Sequence, residues 1–235
     1  MLYCGDVLEI LPHLERYTCL FADVPDNLGL QYAAYDDNLP SAKYVKQLEK
    51  WFRLFVEKAD VTWVSYNARW TFNVGRIVTE LLMDFPQLQA KACVQTFSFG
   101  QNCQTDMGNG HRPLVRLMWE GSKLYPEQIR VPSWRQLNGD KRADPRGRVP
   151  LDHFDFPRVT GNSKQRRAWF PTQLHEGLVE RCILMSTLAG ERVADCMSGS
   201  GTTAIVCQRL GRPCDSFEID AESCERIADV LLVPV

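Results

Sequence analysis

The chain has 235 residues, 45% of them hydrophobic and 24% charged, with a net charge of −2. These proportions exclude a disordered, collagen-like or coiled-coil chain, and the length suffices for a layered α/β sheet covered on both faces without disulfide or metal staples. Nine cysteines, odd in number and never spaced C-x-x-C, argue against a disulfide framework or a structural zinc site and predict reduced, mostly buried thiols in a cytoplasmic protein. With no basic and apolar leader and no apolar run near about 18 residues, neither secretion nor membrane spanning is expected.

Thr18 to Asp23 is an apolar run ended by the polar loop Val24-Pro25-Asp26-Asn27-Leu28-Gly29, the pattern of a buried parallel strand and its C-terminal turn. Ser41 to Lys58 places Tyr44, Val45, Leu48, Trp51, Phe52, Phe55 and Val56 near a 3.6 period, which predicts an amphipathic helix capped by Ser41. Val61 to Tyr66 reads as a strand, Asn67 to Met83 as a helix, and Lys91 to Phe99 and Leu114 to Trp119 as further strands. Asp36-Asp37 reads as a solvated turn. Leu174 to Leu188 predicts a helix closed by Gly190. A strand over Arg192 to Met197, a turn over Ser198 to Gly201, a helix over Thr202 to Leu210 ended by Gly211, and a strand over Cys214 to Ile219 follow. Strands and helices alternate at both ends of the chain, so the expected fold is α/β, a doubly wound and mostly parallel sheet.

Charge is unevenly spread. Arg112 to Arg167 holds 13 Lys and Arg against 6 Asp and Glu, a surplus of +7, leaving 14 against 23, or −9, elsewhere. Pro113, Pro126, Pro132, Pro145, Pro150 and Pro157 also fall here and forbid long helices. A basic, irregular lobe on an acidic, regular body predicts a surface for a polyanion, the alternative being a solvated loop. The four histidines show no metal-ligand spacing, so no metal is expected; His175 reads as a capping or surface group.

The sharpest local feature is Val193-Ala194-Asp195-Cys196-Met197-Ser198-Gly199-Ser200-Gly201-Thr202-Thr203-Ala204, a strand, a tight glycine turn and a helix start. Glycines there admit backbone angles and ligand approach that a side chain would block, and the helix start offers free N–H groups to an anion. Glu218, 17 residues after Gly201, ends the next strand where a carboxylate can accept from a ribose diol. Gly199-x-Gly201-x-x-Ala204 also satisfies the dinucleotide fingerprint of a nicotinamide-dependent oxidoreductase. Chain order disfavours that reading, because only 17 residues follow Glu218 and the sheet must be completed by the N-terminal half.

Four segments in order, Gly5-Asp6 with Leu8 and Leu11, Leu20 to Gly29, Phe170-Pro171-Thr172-Gln173, and Asp195 to Thr203, resemble the permuted β-class of S-adenosylmethionine-dependent DNA amino-methyltransferases. The resemblance implies a circularly permuted Rossmann-like domain: a catalytic half over 1–120, a basic target-recognition lobe over 121–167 and a cofactor-binding half over 168–235. It implies DNA as partner, S-adenosylmethionine as cofactor, no membrane, and a possible homodimer in a bacterial or phage-infected cytoplasm. The implied activity is methyl transfer to the exocyclic amino group of a flipped-out base, with adenine N6 favoured over cytosine N4 by the Asp that heads the catalytic motif.

Asp23-Val24-Pro25-Asp26 stands in the place of the family's Asp/Asn/Ser-Pro-Pro-Tyr/Phe, so Asp23 and the carbonyl of Val24 or Pro25 are assigned to the amino group. Asp26 cannot supply the family's stacking ring; Tyr32 or Trp169 is the substitute. Cys196 and Met197 replace the family's Pro and Phe, and Phe170 its His. The resemblance gives Thr172, Gln173 and Thr202 to the methionine carboxylate, Asp195 and Ser198 to its amino end, Gly199 and Gly201 to the turn, Glu218 to the ribose and Asp6 to the adenine side, Asp6 being equally readable as a helix cap. Arg130, Arg135, Lys141, Arg142, Arg146, Arg148, Lys164, Arg166 and Arg167 are the candidate DNA contacts. The departures at Val24, Asp26, Cys196 and Met197 leave open a degenerate member that binds DNA without catalysis.

Overall fold

Cys19 and Phe21 point to one side of the first long strand and Leu20 and Ala22 to the other, and all four are buried, so the sheet is covered on both faces. The computed structural model describes residues 1–98 and 103–232. Its strands are β1 (Leu2–Cys4), β2 (Tyr17–Asp23), β3 (Ala59–Ser65), β4 (Leu88–Thr96), β5 (His111–Trp119), β6 (His153–Asp155), β7 (Val193–Asp195) and β8 (Cys214–Glu218). The helices are α1 (Val7–Ile10), α2 (Ser41–Lys58), α3 (Thr71–Asp84), α4 (Trp134–Leu137), α5 (Glu176–Ser186), α6 (Thr202–Leu210) and α7 (Ala221–Leu232).

The described strands form one sheet in the order β1-β8-β7-β2-β3-β5-β4-β6, and among the strand pairs of that sheet only those made by β5 are antiparallel. This is the expected doubly wound, mostly parallel α/β sheet. Tyr44, Leu48, Phe52 and Phe55 of α2 with Ile77 and Leu81 of α3 pack one face. Leu178, Cys182 and Ile183 of α5 with Val206 and Cys207 of α6 pack the other.

Two registers place the site. Phe21 pairs with Asp195, so the C-terminal tips of β2 and β7 lie side by side although they come from opposite ends of the chain. Because β5 runs against its neighbours, its first residues, His111 and Arg112, reach the same sheet edge as the last residues of β2, β3 and β7.

Local corrections have local causes. Ser41 is the first helical residue rather than a cap; Pro40 precedes it, its carbonyl accepting the Lys43 and Tyr44 N–H groups. Asn67 caps a 3₁₀ turn over Ala68–Trp70 before α3 begins, its side chain accepting from the Arg69 N–H. Helix α5 ends at Ser186 because Thr187 is extended; Gly190, with φ of +82°, sits in the next turn and donates to the Gly211 carbonyl. The strand expected over Lys91 to Phe99 ends at Thr96, and Phe99 lies outside the described residues. The basic segment does not stand apart from the sheet: its His153–Asp155 pairs in parallel with β4. No described helix is long and apolar enough to cross a membrane.

Candidate active site

The glycine turn joins β7 to α6 at the sheet edge. Gly199 has φ of +49° and Gly201 φ of +74°, and a Cβ on Gly199 would lie 2.7 Å from the Phe170 ring, so both positions need glycine. The Ser198 hydroxyl donates to Asp195 Oδ2 at 2.9 Å, and the Gly199 N–H donates to Glu218 Oε2 at 2.7 Å. Glu218 Oε1 accepts from the Asp220 N–H at 3.0 Å. A carboxylate has about four lone-pair sites, so Glu218 brackets the turn and keeps acceptor capacity toward the cavity. Burial pushes Asp195 up to about 7, with Glu218 and Asp23 adding to the rise against the Ser198 and Thr203 hydroxyls. Burial also raises Glu218, against the Asp220 and Gly199 N–H groups.

Beside this turn lies a cavity of about 290 Å³, walled by Trp169, Phe170, Cys196, Met197, Phe217 and Ile219 and edged by the carboxylates of Asp6, Glu218, Asp220 and Glu222. Apolar walls with a few convergent carboxylates suit a nucleoside, and the start of α6 suits its anionic tail. The residues at Cys196, Met197 and Phe170 that depart from the family thus line this cavity in apolar fashion. Asp6 satisfies both of its readings, since Oδ1 caps α1 by accepting from the Leu8 N–H while the residue borders the cavity. His175 caps α5 through Nδ1.

A second cavity of about 330 Å³ opens past a shared wall of Pro25, Tyr32 and Pro171 and is lined by Asp23, Asp26, Asn67, Gln95, Arg112, Arg158, Thr172 and Gln173. Asp23 and Gly199 together border a small cleft between the two spaces. The two motifs therefore share one crevice. Of the two proposed stacking aromatics, Tyr32 borders both cavities, its hydroxyl 3.4 Å from Thr172 Oγ1, whereas Trp169 lines only the first, edge-on to Phe170.

The loop after β2 is held rigidly. Asp37, expected in a solvated turn, is buried and accepts from the N–H groups of Asn27, Leu28 and Leu30 at 2.8 to 3.0 Å. It stabilises Asn27 at φ of +54°, a conformation that L-residues rarely adopt. The Tyr44 hydroxyl donates to the Pro25 carbonyl and Trp70 Nε1 to the Asp26 carbonyl. Of the motif's central carbonyls, that leaves Val24 without a described side-chain donor.

Sequence reasoning missed Arg112. Its Nη2 donates to Asp23 Oδ1 at 2.6 Å, its Nη1 to Asp26 Oδ2 at 3.0 Å, and its Nε to the Ser65 hydroxyl at 2.7 Å. Asn67 also donates to Asp26 Oδ2, at 3.2 Å. Burial works against the guanidinium charge, but Asp23 and Asp26 outweigh it and keep Arg112 charged. Burial raises Asp23 against the pull of Arg112. The sequence carried one usable signal: an antiparallel strand reaches the active edge with its first residues, so a cation opening such a strand points into the site.

The nine basic candidates divide in two. Arg135, Lys141, Arg142, Arg146, Arg148 and Lys164 are exposed; Arg142 pairs with the neighbouring Asp140, and Arg146 with the neighbouring Asp144 and, at 3.8 Å, with Glu127. Such exposed pairs hold weakly. Arg130 turns back to Glu127 and the Gly147 carbonyl, and Arg166 to the Pro171 carbonyl. Arg167 points to the start of α6, donating to Thr202 Oγ1 at 3.1 Å and pairing with Glu176 at 3.0 Å. Gln173 fixes this segment, accepting from the Arg167 N–H and donating to the Gln165 carbonyl. Among the described residues no cluster of His, Cys, Asp and Glu is arranged to hold a metal ion.

The site thus sets a glycine turn and an apolar cavity beside a carboxylate-lined cleft at one edge of a doubly wound α/β sheet. A family model described as DNA methylase, of the N6/N4 methyltransferases, matches residues 17–229, and the chain belongs to that family. The type II methyltransferase M.HpaI of Haemophilus parainfluenzae is 27% identical over 230 residues, covering 95% of this chain and 71% of that protein. Among solved structures, the cytosine-N4-specific PvuII DNA methyltransferase superposes with a TM-score of 0.74 at 16% identity, covering 99% of this chain and 86% of that one. The M1.HpyAVI complex with SAM gives 0.67 at 15% identity, with 99% of each chain covered.

Proposed function

We propose that this DNA methyltransferase moves a methyl group to the exocyclic amino nitrogen of a flipped-out base held in the Asp23 cavity. S-adenosylmethionine is the cofactor of this family, and bound in the first cavity it would supply an electrophilic methyl on a sulfonium, the S–C bond to that methyl breaking to leave a neutral thioether. The single observation that carries the reading is the common crevice of Asp23 and Gly199.

The amino nitrogen of a base is a poor nucleophile because its lone pair is delocalised into the ring. Asp23 accepts one N–H and the Val24 carbonyl the other, holding the nitrogen with its lone pair toward the methyl; Pro25, engaged by Tyr44, supports the loop. As the new N–C bond forms, the nitrogen sheds its surplus proton to Asp23, whose raised pKa suits it to receive one. Asp195 with Ser198 holds the methionine ammonium, Thr202 and Thr172 face its carboxylate, and Glu218 and Asp6 face the nucleoside. Arg167 belongs with this group, while the six exposed basic residues of the lobe contact DNA phosphates. Tyr32 is the aromatic that covers the base. Adenine N6 is the preferred acceptor by family tendency, and cytosine N4 fits the same arrangement.

A non-catalytic DNA-binding member is the second reading, and Arg112 on Asp23 is the observation that favours it. Incubation with methyl-labelled S-adenosylmethionine and mixed-sequence DNA, then digestion to nucleosides, decides: label in N6-methyl-2′-deoxyadenosine or N4-methyl-2′-deoxycytidine supports catalysis and names the base. DNA retained without label supports the second reading.

A further inference from the structure

The Asp23–Arg112–Asp26 arrangement has a use beyond holding the amino group. Asp23 Oδ1 accepts from Arg112, the Ser65 hydroxyl also reaches this carboxylate, and Asp23 lines the cavity with acceptor capacity beyond those two bonds. A guanidinium has five N–H hydrogens, and three here are committed, to Ser65, Asp23 and Asp26. The side chains of Arg112 and Asp23 remain 18% and 25% exposed, and both line the same cavity. An acceptor and a donor therefore stand next to each other where a base would enter.

We propose that Arg112 is a specificity-determining residue that reads the target base, donating a hydrogen bond to the ring nitrogen beside the amino group that Asp23 accepts. The inference rests on the function proposed above. The edge it fits is H₂N–C=N, shared by adenine (N6 and N1) and cytosine (N4 and N3) and absent from thymine, whose corresponding edge has a carbonyl and an N–H. An arginine is never an acceptor, so a thymine N–H facing it is left unpaired, and an unpaired buried polar group costs more than a lost contact.

The same geometry accounts for Asp26, where the family has an aromatic ring. A lone guanidinium against the ring nitrogen would draw electrons from an amino group that must act as a nucleophile. Two carboxylates, Asp23 and Asp26, flank the one cation, so the ring meets a hydrogen-bond donor within a net negative cluster. Asp26 Oδ1 is buried and lacks a hydrogen bond although it lies 2.9 Å from Arg112 Nη1, so it is available to follow the guanidinium when a base arrives.

The test uses the full-length enzyme. Once methylated positions have been mapped in treated DNA, oligonucleotides carry the target base or its analogue with that ring nitrogen replaced by carbon, 1-deazaadenine or 3-deazacytosine. The wild-type enzyme is expected to lose about 10- to 100-fold in kcat/KM on the analogue, the size of one lost hydrogen bond in a buried site. In Arg112→Met, and in Arg112→Lys, which keeps a cation between the carboxylates to protect the fold, the penalty is expected to shrink to within about threefold. An undiminished penalty in both variants, or no penalty in the wild type, overturns the proposal. Failure of the wild type to methylate any unmodified DNA instead overturns the underlying function.

Discussion

The two cavities flanking Pro25 and Tyr32 are built on opposite plans. The first has aromatic and sulfur-bearing walls with carboxylates at its rim, and its shape is fixed by backbone: two left-handed glycines and a carboxylate that clasps the turn. The second is polar, and its shape is fixed by an ion cluster contributed by residues 23, 26, 65, 67 and 112. A ligand common to many enzymes can be held by a backbone cradle, whereas selection among bases demands side chains placed one by one. Changes in the first should therefore act through affinity, and changes in the second through turnover.

The sharpest break is expected at Asp23. Asp23→Ala should lower kcat by about 10²- to 10³-fold, the effect of removing one preorganised hydrogen-bonding group, with cofactor affinity within about threefold of the wild type. Single-turnover methyl transfer alongside calorimetric titration with S-adenosylhomocysteine measures both. Equal losses in turnover and affinity would show that the two cavities do not divide the work.

Next in size is Glu218→Ala, which removes the acceptor for the Gly199 and Asp220 N–H groups. About 2 kcal/mol of lost bonding corresponds to a Kd some 30-fold weaker, with kcat at saturating cofactor little changed.

Protonation sharpens the contrast further. Burial pushes Asp195 up to about 7, above its unfolded value near 3.8. In the free protein the neutral form contributes stability that is complete below the unfolded value and is lost as pH rises through about 7. A bound ammonium reverses the preference, because it favours the carboxylate. Affinity for S-adenosylhomocysteine should rise about tenfold per pH unit approaching 7 and level off above it, and Asp195→Asn should flatten that profile. A flat wild-type profile would remove Asp195 from the ammonium site.

The smallest effects belong to the lobe. Lys141→Ala or Arg148→Ala should weaken DNA binding a few-fold irrespective of sequence and reduce the slope of log K against log salt by about 1. Arg167→Ala is the internal control: it should leave that slope unchanged and weaken cofactor binding, as its bond to Thr202 requires.

Local sequence determined what local forces control. The helix over Ser41–Lys58 and the glycine turn into Thr202–Leu210 follow from apolar periodicity and glycine conformational freedom, which act within a few residues. Asp23 and Glu218 were legible because the end of an apolar strand marks its own position. The short strands β1 and β6, of three residues each, carry too little pattern to be seen and exist because a neighbouring edge offers hydrogen bonds. Asp37 reads as a solvated turn because no local signal says that three N–H groups of the loop seven to ten residues earlier will close on it. By composition Arg112 is one more basic residue of the segment 112–167, and only the reversed direction of β5 brings it between Asp23 and Asp26, across 89 and 86 residues of chain. The fold class and the glycine turn were thus settled by short-range chemistry, while the ion cluster of Asp23, Arg112 and Asp26 was decided by strand direction and register, which no stretch of sequence encodes alone.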